Sequence, residues 1–369
     1  MTAHDPLALA SNRRTSTFER RVARSLAAHL DAGEAIVVAC SGGPDSLATL
    51  VATARSRPRG TVTAAHFDHR LRPSAEIARE RAIVASAAAA LGARFTAGRA
   101  PRIPGDHSEA AAREARYRWL ARACRDAGAA ACVTGHTRDD QAETVLLRLA
   151  RGTGLRGAAG MERRAPWPVP VRTALSVVRP LLDVARMEVE AYLAAVGLEA
   201  ARDPSNDTLE YARNRMRQRV LPELRALNAQ AAAHLAAFAD RARDDDDALE
   251  AWAALVLAEI GRVHDDTVSL DRGAILALPL AVAGRVVRIA AALLGVAVER
   301  AGVEAALHAA RAGGRHAALG EGLEAARQGA WLVLGRSPLI SSKSSVHPLA
   351  LTDPSATILK LPRTGSQNT

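Results

Sequence analysis

A chain of 369 residues, 49% of them hydrophobic, is long enough for two or three domains and can bury a sizeable core. No apolar run approaches the ~20 residues that span a bilayer, and Met1 to Arg14 lack the apolar centre of a signal peptide, so a cytoplasmic protein with no membrane partner is expected. The net charge of +10 suits a polyanion, although only Lys343 and Lys360 are lysines and so arginine-rich a composition is also what a GC-rich genome produces.

Ser16 and Glu19 have the spacing of a capping box and predict a helix to about Leu30, within an N-terminal segment 1–33. From Glu34 the pattern alternates. Apolar runs at 35–40, 61–67, 93–97 and 130–134 predict strands, and amphipathic segments at 45–56, 76–91, 108–127 and 139–150 predict helices. Repeated strand–helix units imply a parallel sheet covered on both faces, with ligands at the carboxyl ends of its strands. The glycines 152, 154, 157 and 160 and the prolines 166, 168 and 170 predict a mobile loop. Val177–Leu182 reads as a fifth strand and Val184–Val196 as a helix. This α/β nucleotide-binding domain is expected over 34–225. Ala-rich patterns over 226–336 predict a mainly helical C-terminal domain, with Asp244–Asp247 on a solvated face. The weak alternation from Gly320 to Leu334 around Gln328-Gly329 admits a closing β-hairpin, and a Ser/Pro/Thr-rich tail, 337–369, is expected to be disordered. Cys40, Cys124 and Cys132 are odd in number and form no Cys-x-x-Cys, against a disulfide scaffold or structural zinc.

The most informative stretch is Ile36-Val37-Val38-Ala39-Cys40-Ser41-Gly42-Gly43-Pro44-Asp45-Ser46, an apolar strand breaking into a tight loop and a helix. Gly42 and Gly43 put no Cβ in the way, and their N–H groups with the following helix N-terminus make an anion cradle. Ser41 and Ser46 add hydroxyls, and Asp45 adds one carboxylate for Mg²⁺ or a cationic substrate group. The loop has no lysine, so it is not the Walker phosphate loop.

Four other blocks accompany it: His66 to Arg72, Ser108 to Tyr117, Thr134 to Gly157, and Asp203-Pro204-Ser205-Asn206 with Tyr211 to Arg215. Ala142, Val145, Leu146 and Leu149 mark a buried helical stripe, and Asp140 and Glu143 sit together, turned away from it. Two acids one turn apart at a helix N-terminus either hold a cationic amine or offset the helix dipole. The His66, Asp68, His69 trio reads either as metal ligands or as a strand ending. His136 is either a group in the site or a solvent-facing loop histidine, and Arg113 and Arg116 share one helix face, near the rim or merely solvated.

Together the blocks, from about Glu34 to Pro222, resemble the tRNA(Ile)-lysidine synthase family, pyrophosphate-loop ATPases with an adenine nucleotide α-hydrolase-like domain. The resemblance implies a ligase. ATP adenylates the C2 oxygen of the wobble cytidine in a CAU-anticodon tRNA(Ile), and the ε-amine of free L-lysine displaces AMP to give lysidine. It implies ATP and Mg²⁺ as cofactors, and the partners admit a homodimer. By the family pattern Ser41, Gly42, Gly43, Pro44, Asp45 and Ser46 bind ATP, with Asp45 a candidate Mg²⁺ ligand and no other metal residue assigned. Asp45, Arg116, Asp140 and Glu143 handle lysine and the adenylate, and His136 lies near the reacting phosphate. Arg151, Arg156, Arg213 and Arg215 look like tRNA contacts. The rival readings are a pyrophosphate-loop thiolase, for which the cysteines form no reactive pair, an amidotransferase relative and an inactive nucleotide- or RNA-binding module.

Overall fold

The computed structural model describes residues 9–70, 73–100, 109–201, 209, 211–264, 266–312 and 316–336. Leu71, Arg72, Ser108, Asp203-Pro204-Ser205-Asn206 and the tail 337–369 lie outside the described residues. Two compact units divide between Ala242 and Arg243.

The first unit begins with α1 (Arg13–Ala27), capped by Asn12 rather than Ser16. The Asn12 side chain accepts from the Arg14 and Thr15 N–H groups, and the Thr15 hydroxyl accepts from the Asn12 N–H in return, so the box sits one turn early. Glu19 is instead tied to Arg55 at 2.8 Å and to the Tyr192 hydroxyl at 3.0 Å. The alternation then runs β1 (Ile36–Ala39), α2 (Pro44–Arg55), β2 (Val62–Asp68), α3 (Ser74–Ala90), β3 (Arg94–Arg99), α4 (Glu109–Asp126), β4 (Ala131–Thr134) and α5 (Arg138–Ala150). After it come α6 (Leu155–Ala158), β5 (Arg164–Pro166), β6 (Ser176–Val178) and α7 (Arg186–Val196). The strand expected to reach Leu182 ends at Val178, two residues before Pro180, which has no N–H for a ladder.

The strand order is β3-β2-β1-β4-β6-β5, with β1, β2, β3, β4 and β6 parallel and β5 an antiparallel edge. Successive β1 side chains face opposite sides. Ile36 and Val38 join Leu47, Leu50 and Val51 of α2 and Val189 and Leu193 of α7, whereas Val37 joins Tyr117, Leu120 and Cys124 of α4. A sheet buried on both faces explains why the strands read as continuous apolar runs.

The Gly-rich part of the expected loop is folded and carries α6, whereas 167–175, with Pro168 and Pro170, has no regular secondary structure. The Arg148 guanidinium donates to the Gly157 and Gly160 carbonyls at 3.0 and 2.8 Å, and the Gln141 amide exchanges two hydrogen bonds with the Met161 backbone. Long-range side-chain anchors of this kind leave no local pattern for composition to reveal.

Beyond α7 lie α8 (Ala212–Arg215), a π-helical turn (Met216–Val220), α9 (Leu221–Leu227) and α10 (Ala231–Ile260), inside which the unit boundary falls. The second unit adds β7 (Gly261–His264), β8 (Thr267–Asp271), α11 (Arg272–Ala277), α12 (Leu280–Leu293), α13 (Arg300–Arg311), β9 (His316–Gly320), β10 (Leu323–Gln328) and β11 (Trp331–Arg336). Its helices share a core with an antiparallel sheet ordered β7-β8-β11-β10-β9, in which Gln328 pairs with Trp331 across the last turn. Within the acidic run Asp246 is not simply solvated: it forms an ion pair with Arg285. No helix among the described residues is long and apolar enough to cross a membrane, and the three cysteines are buried and free.

Candidate active site

The parallel order reverses between β1 and β4, and a crevice at such a switch point is where open α/β sheets take ligands. Ala39 and Thr134 end the two strands side by side, so the loop Cys40–Gly43 and the turn Gly135–Thr137 flank one opening. Gly42 has φ +91°, a conformation that disfavours a side chain. Gly43 is the N-cap of α2 and offers no side-chain cap, and Pro44 starts the helix, so the orphan amides of the first turn are left for a ligand. Ser46 braces the loop: its hydroxyl donates to the Gly43 carbonyl at 2.9 Å and accepts from the Ser41 N–H at 3.2 Å.

Gly135 lets the two sides meet. A Cβ built there would stand 2.6 Å from the Asp45 carbonyl oxygen and 2.8 Å from the Thr49 hydroxyl. Gly135→Ala is therefore expected to push the α2 N-terminus aside, costing about 1–3 kcal/mol in stability and weakening nucleotide binding. Thermal unfolding and ATP-binding titration check both.

The four acids expected or found here come from two helix N-termini. Asp140 divides its duties. Its Oδ2 accepts from the Thr137 N–H at 2.7 Å and hydroxyl at 2.9 Å, closing a capping box. Its Oδ1 accepts from Arg213 at 2.9 Å, Arg217 at 3.2 Å and Arg186 at 3.3 Å. The helix-dipole and cation-holding readings of this residue are thus both realised, one on each oxygen. Glu143 is fully buried and accepts from Arg213 at 2.9 Å and Arg217 at 2.7 Å. Asp139 accepts from the Arg186 N–H at 2.8 Å and pairs with Arg225. Asp45 lies 3.3 Å from Arg186 through Oδ2, while its Oδ1 is buried with no hydrogen-bond partner.

These environments push the acids apart. Burial, opposed by Arg186 and reinforced by the charges of Asp140 and Asp139, raises the Asp45 carboxyl to about 6. Asp140 is buried too, yet Arg213, His136 and Arg186 hold it well below the ordinary carboxylate value. The His136 imidazole is held well below its usual value by burial and by Arg179, Arg213 and Arg116, against the pull of Asp140. It is therefore neutral at neutral pH, with Nδ1 2.9 Å from the Thr134 hydroxyl.

The structure brings Asp45, His136, Asp140 and Glu143 onto one rim, and Arg116 is near enough to act on His136 electrostatically. Two expectations are corrected. Leu149, at the end of the expected buried stripe, is 43% exposed, and Asp140 and Glu143, expected to turn away from that stripe, are themselves buried against Arg213 and Arg217. Arg213, read as a tRNA contact, is bound to Asp140 and Glu143, while Arg151, Arg156 and Arg215 are exposed. The missed residues are Arg186, Arg217, Arg225 and Asp139. A signal for Arg217 existed, since it is four residues from Arg213 and so shares its helical face, which Arg215 does not. The His66 trio is dispersed: His66 Nδ1 lies 3.2 Å from the Cys40 carbonyl, and Asp68 accepts from Arg99 at 2.6 Å and from the Arg70 N–H at 2.7 Å. Among the described residues no group of three or more His, Cys, Asp or Glu side chains is arranged to hold a metal ion.

A parallel sheet with a Gly-Gly cradle at its switch point defines a nucleotide-binding α/β protein, and the family model described as a PP-loop domain matches residues 14–224. The chain belongs to the PP-loop ATPase superfamily. It is 44% identical over 295 residues to the tRNA(Ile)-lysidine synthase of Salinispora arenicola, covering 76% of this chain and 82% of that protein. With the Methylobacterium nodulans tRNA(Ile)-lysidine synthase it shares 42% over 273 residues, 73% of this chain and 77% of the other. The chain belongs to the tRNA(Ile)-lysidine synthase family. A solved structure, the U34-tRNA thiolase NcsA from Methanococcus maripaludis with its [4Fe-4S] cluster, superposes with a TM-score of 0.51 at 14% identity, covering 62% of this chain and 79% of that one, a likeness of fold alone.

Proposed function

We propose that this protein joins free L-lysine to C2 of the wobble cytidine of a CAU-anticodon tRNA(Ile), with ATP as the activating substrate. The observation that carries the reading is Arg186. One guanidinium lies 3.3 Å from Asp45, in the nucleotide loop, and 3.3 Å from Asp140, in the acidic group. The phosphate cradle and the carboxylates are thus one charged arm apart, as a reaction between an activated base and an amine requires.

In the first step the cytidine C2 oxygen attacks the α-phosphorus of ATP; the new oxygen–phosphorus bond forms as the bond to the bridging oxygen breaks and pyrophosphate leaves. The amides of Gly43 and the α2 first turn suit the departing phosphates. In the second step the lysine ε-nitrogen attacks C2, the C–N bond forms, and the C2–O bond breaks to release AMP. An ammonium near pKa 10 must first lose a proton. Asp45, raised to about 6, fits the proton acceptor, and Asp140, held ionised, fits the group that keeps the cation in place. The neutral His136 imidazole fits a hydrogen-bonding role near the phosphate rather than a charged one. Mg²⁺ would be the alternative occupant of the orphaned Asp45 Oδ1, since that ion commonly takes one or two carboxylates plus substrate phosphates; it would supply charge neutralisation and would hold the carboxylate ionised, in place of the proton-acceptor role. Arg151, Arg156 and Arg215 are proposed tRNA contacts on their exposure, and Arg213 is proposed instead as a partner of the lysine-handling acids.

The deciding assay is AMP release. Release that needs both lysine and a CAU-anticodon tRNA(Ile) is the expected result. Release with a sulfur donor and no lysine would overturn the reading in favour of thiolation, and no release under any condition would leave a binding module.

A further inference from the structure

The carboxyl rim has a cationic side as well as an acidic one. Arg179 directly follows β6, and the register Val133 with Val178 sets it level with Thr134, beside the His136 turn. It is only 6% exposed. Its Nη1 donates to the Glu162 carbonyl at 2.8 Å, and its Nε is buried with no hydrogen-bond partner. Tyr117 of α4 is buried as well, edge-on to Trp167 at 5.7 Å, and its hydroxyl also has no partner. Arg113 and Arg116 hold their guanidiniums 4.9 and 5.2 Å from the centre of the Tyr117 ring. Arg113 is close enough to Arg179 to add to the effect of burial in lowering that arginine's pKa. Among the described residues no carboxylate forms a close ion pair with any of the three, although the charge of Glu162 favours the charged form of Arg179.

A guanidinium buried with an unpartnered Nε and no close counter-charge is costly, and here Arg113 adds a like charge. A protein keeps such an arrangement cheaply only when an anion arrives to neutralise it. Guanidinium forks match phosphate oxygens, and an unpartnered phenol hydroxyl adds a further donor. We propose that Arg179, Arg113 and Arg116, gathered around Tyr117, form a receptor for a phosphate ester on the β6 side of the rim, distinct from the cradle at Ser41–Ser46. The inference rests on the proposed function for the identity of its ligand, which is either a backbone phosphate next to the reacting cytidine or the phosphate of the nucleotide.

The test uses the full-length protein and measures equilibrium binding, without turnover, of two probes: a CAU anticodon stem–loop RNA and ATP. Arg113 is exposed, so R113Q keeps the fold, and R179Q is compared with R179K for folding and rescue. The expected result is about tenfold weaker binding of one probe by R113Q and by R179Q, with partial recovery in R179K. If RNA is the weakened probe, the slope of log affinity against log salt falls by about 0.7 in R113Q, and the phosphate belongs to the tRNA. If ATP is weakened, it belongs to the nucleotide. Unchanged affinity for both probes in R113Q and in folded R179Q overturns the receptor. Wild-type lysine-dependent AMP release is scored separately, so release with unchanged binding in the variants sinks this inference alone. Binding lost in the variants without lysine-dependent release sinks only the proposed reaction.

Discussion

Asp45→Asn is expected to abolish AMP release while the folded protein melts at the same temperature or higher. The two halves of the result have one cause. Burial raises the Asp45 carboxyl to about 6, so the folded state disfavours its ionised form. A carboxyl whose folded value lies above its unfolded value of about 4 costs stability as the pH rises through that interval. The penalty is absent below about 4 and complete above about 6, where a shift of this size corresponds to roughly 3 kcal/mol at most. Asparagine carries no such penalty, and Arg186 keeps Asp140 as a partner. The gain should therefore open between about pH 4 and 6 in melting experiments. The same titration predicts an acid limb near pH 6 in the wild-type rate, where Asp45 takes up the proton that stops it acting as an acceptor. Loss of melting temperature in the variant at neutral pH would mean that Asp45 is structural. Retained turnover would remove it from the chemistry.

Asp140→Asn is expected to do the opposite to stability. Its Oδ1 is shared by Arg186, Arg213 and Arg217; without it Arg186 keeps Asp45, but Glu143 alone is left to face Arg213 and Arg217. Breaking a buried pair by removing one partner costs about 3–5 kcal/mol, a large part of the ~5–15 kcal/mol that holds a typical domain together. Because the folded carboxyl is held below its unfolded value, the wild type enjoys this stabilisation at neutral pH and loses it as the pH falls below the ordinary carboxylate range. The deficit of the variant should be full at pH 7 and close on acidification. In turnover the lysine KM should rise about 10- to 100-fold, the worth of a charge-assisted contact, with the ATP KM changed far less. Equal changes in the two would take Asp140 out of the amine-holding role. The pair of variants thus separates the two acids by the sign of one measurement.

Much of the first unit of this molecule is written locally. The run Ile36 to Ser46 specifies strand, turn and helix through residue types that each act within a few positions: branched apolar residues for a buried strand, glycines for a positive φ and a close backbone, proline for a helix start. The i, i+3 spacing of Asp140 and Glu143 likewise placed them together without any knowledge of the fold. What was misread depends on contacts from far along the chain. Arg148 and Gln141 reach up to twenty residues on to anchor a Gly-rich stretch that composition presents as a loop. The cap is the exception, a local choice in which Asn12 and not Ser16 accepts the first-turn N–H groups.

The sequence by itself determined the parallel-sheet architecture, the Gly-Gly loop between β1 and α2 and the acidic pair, since each follows from short-range periodicity and from backbone freedom carried by particular residue types. Only the tertiary structure decided that Arg186, from a helix more than forty residues away, spans Asp45 and Asp140, that Arg213 and Arg217 cover the acids, and that Asp45 keeps one buried oxygen free. Charge pairing across such separations is chosen by the packing of whole elements. The same carboxylate becomes a poised proton acceptor or a permanent anion according to which guanidiniums that packing brings within reach and how much water it removes.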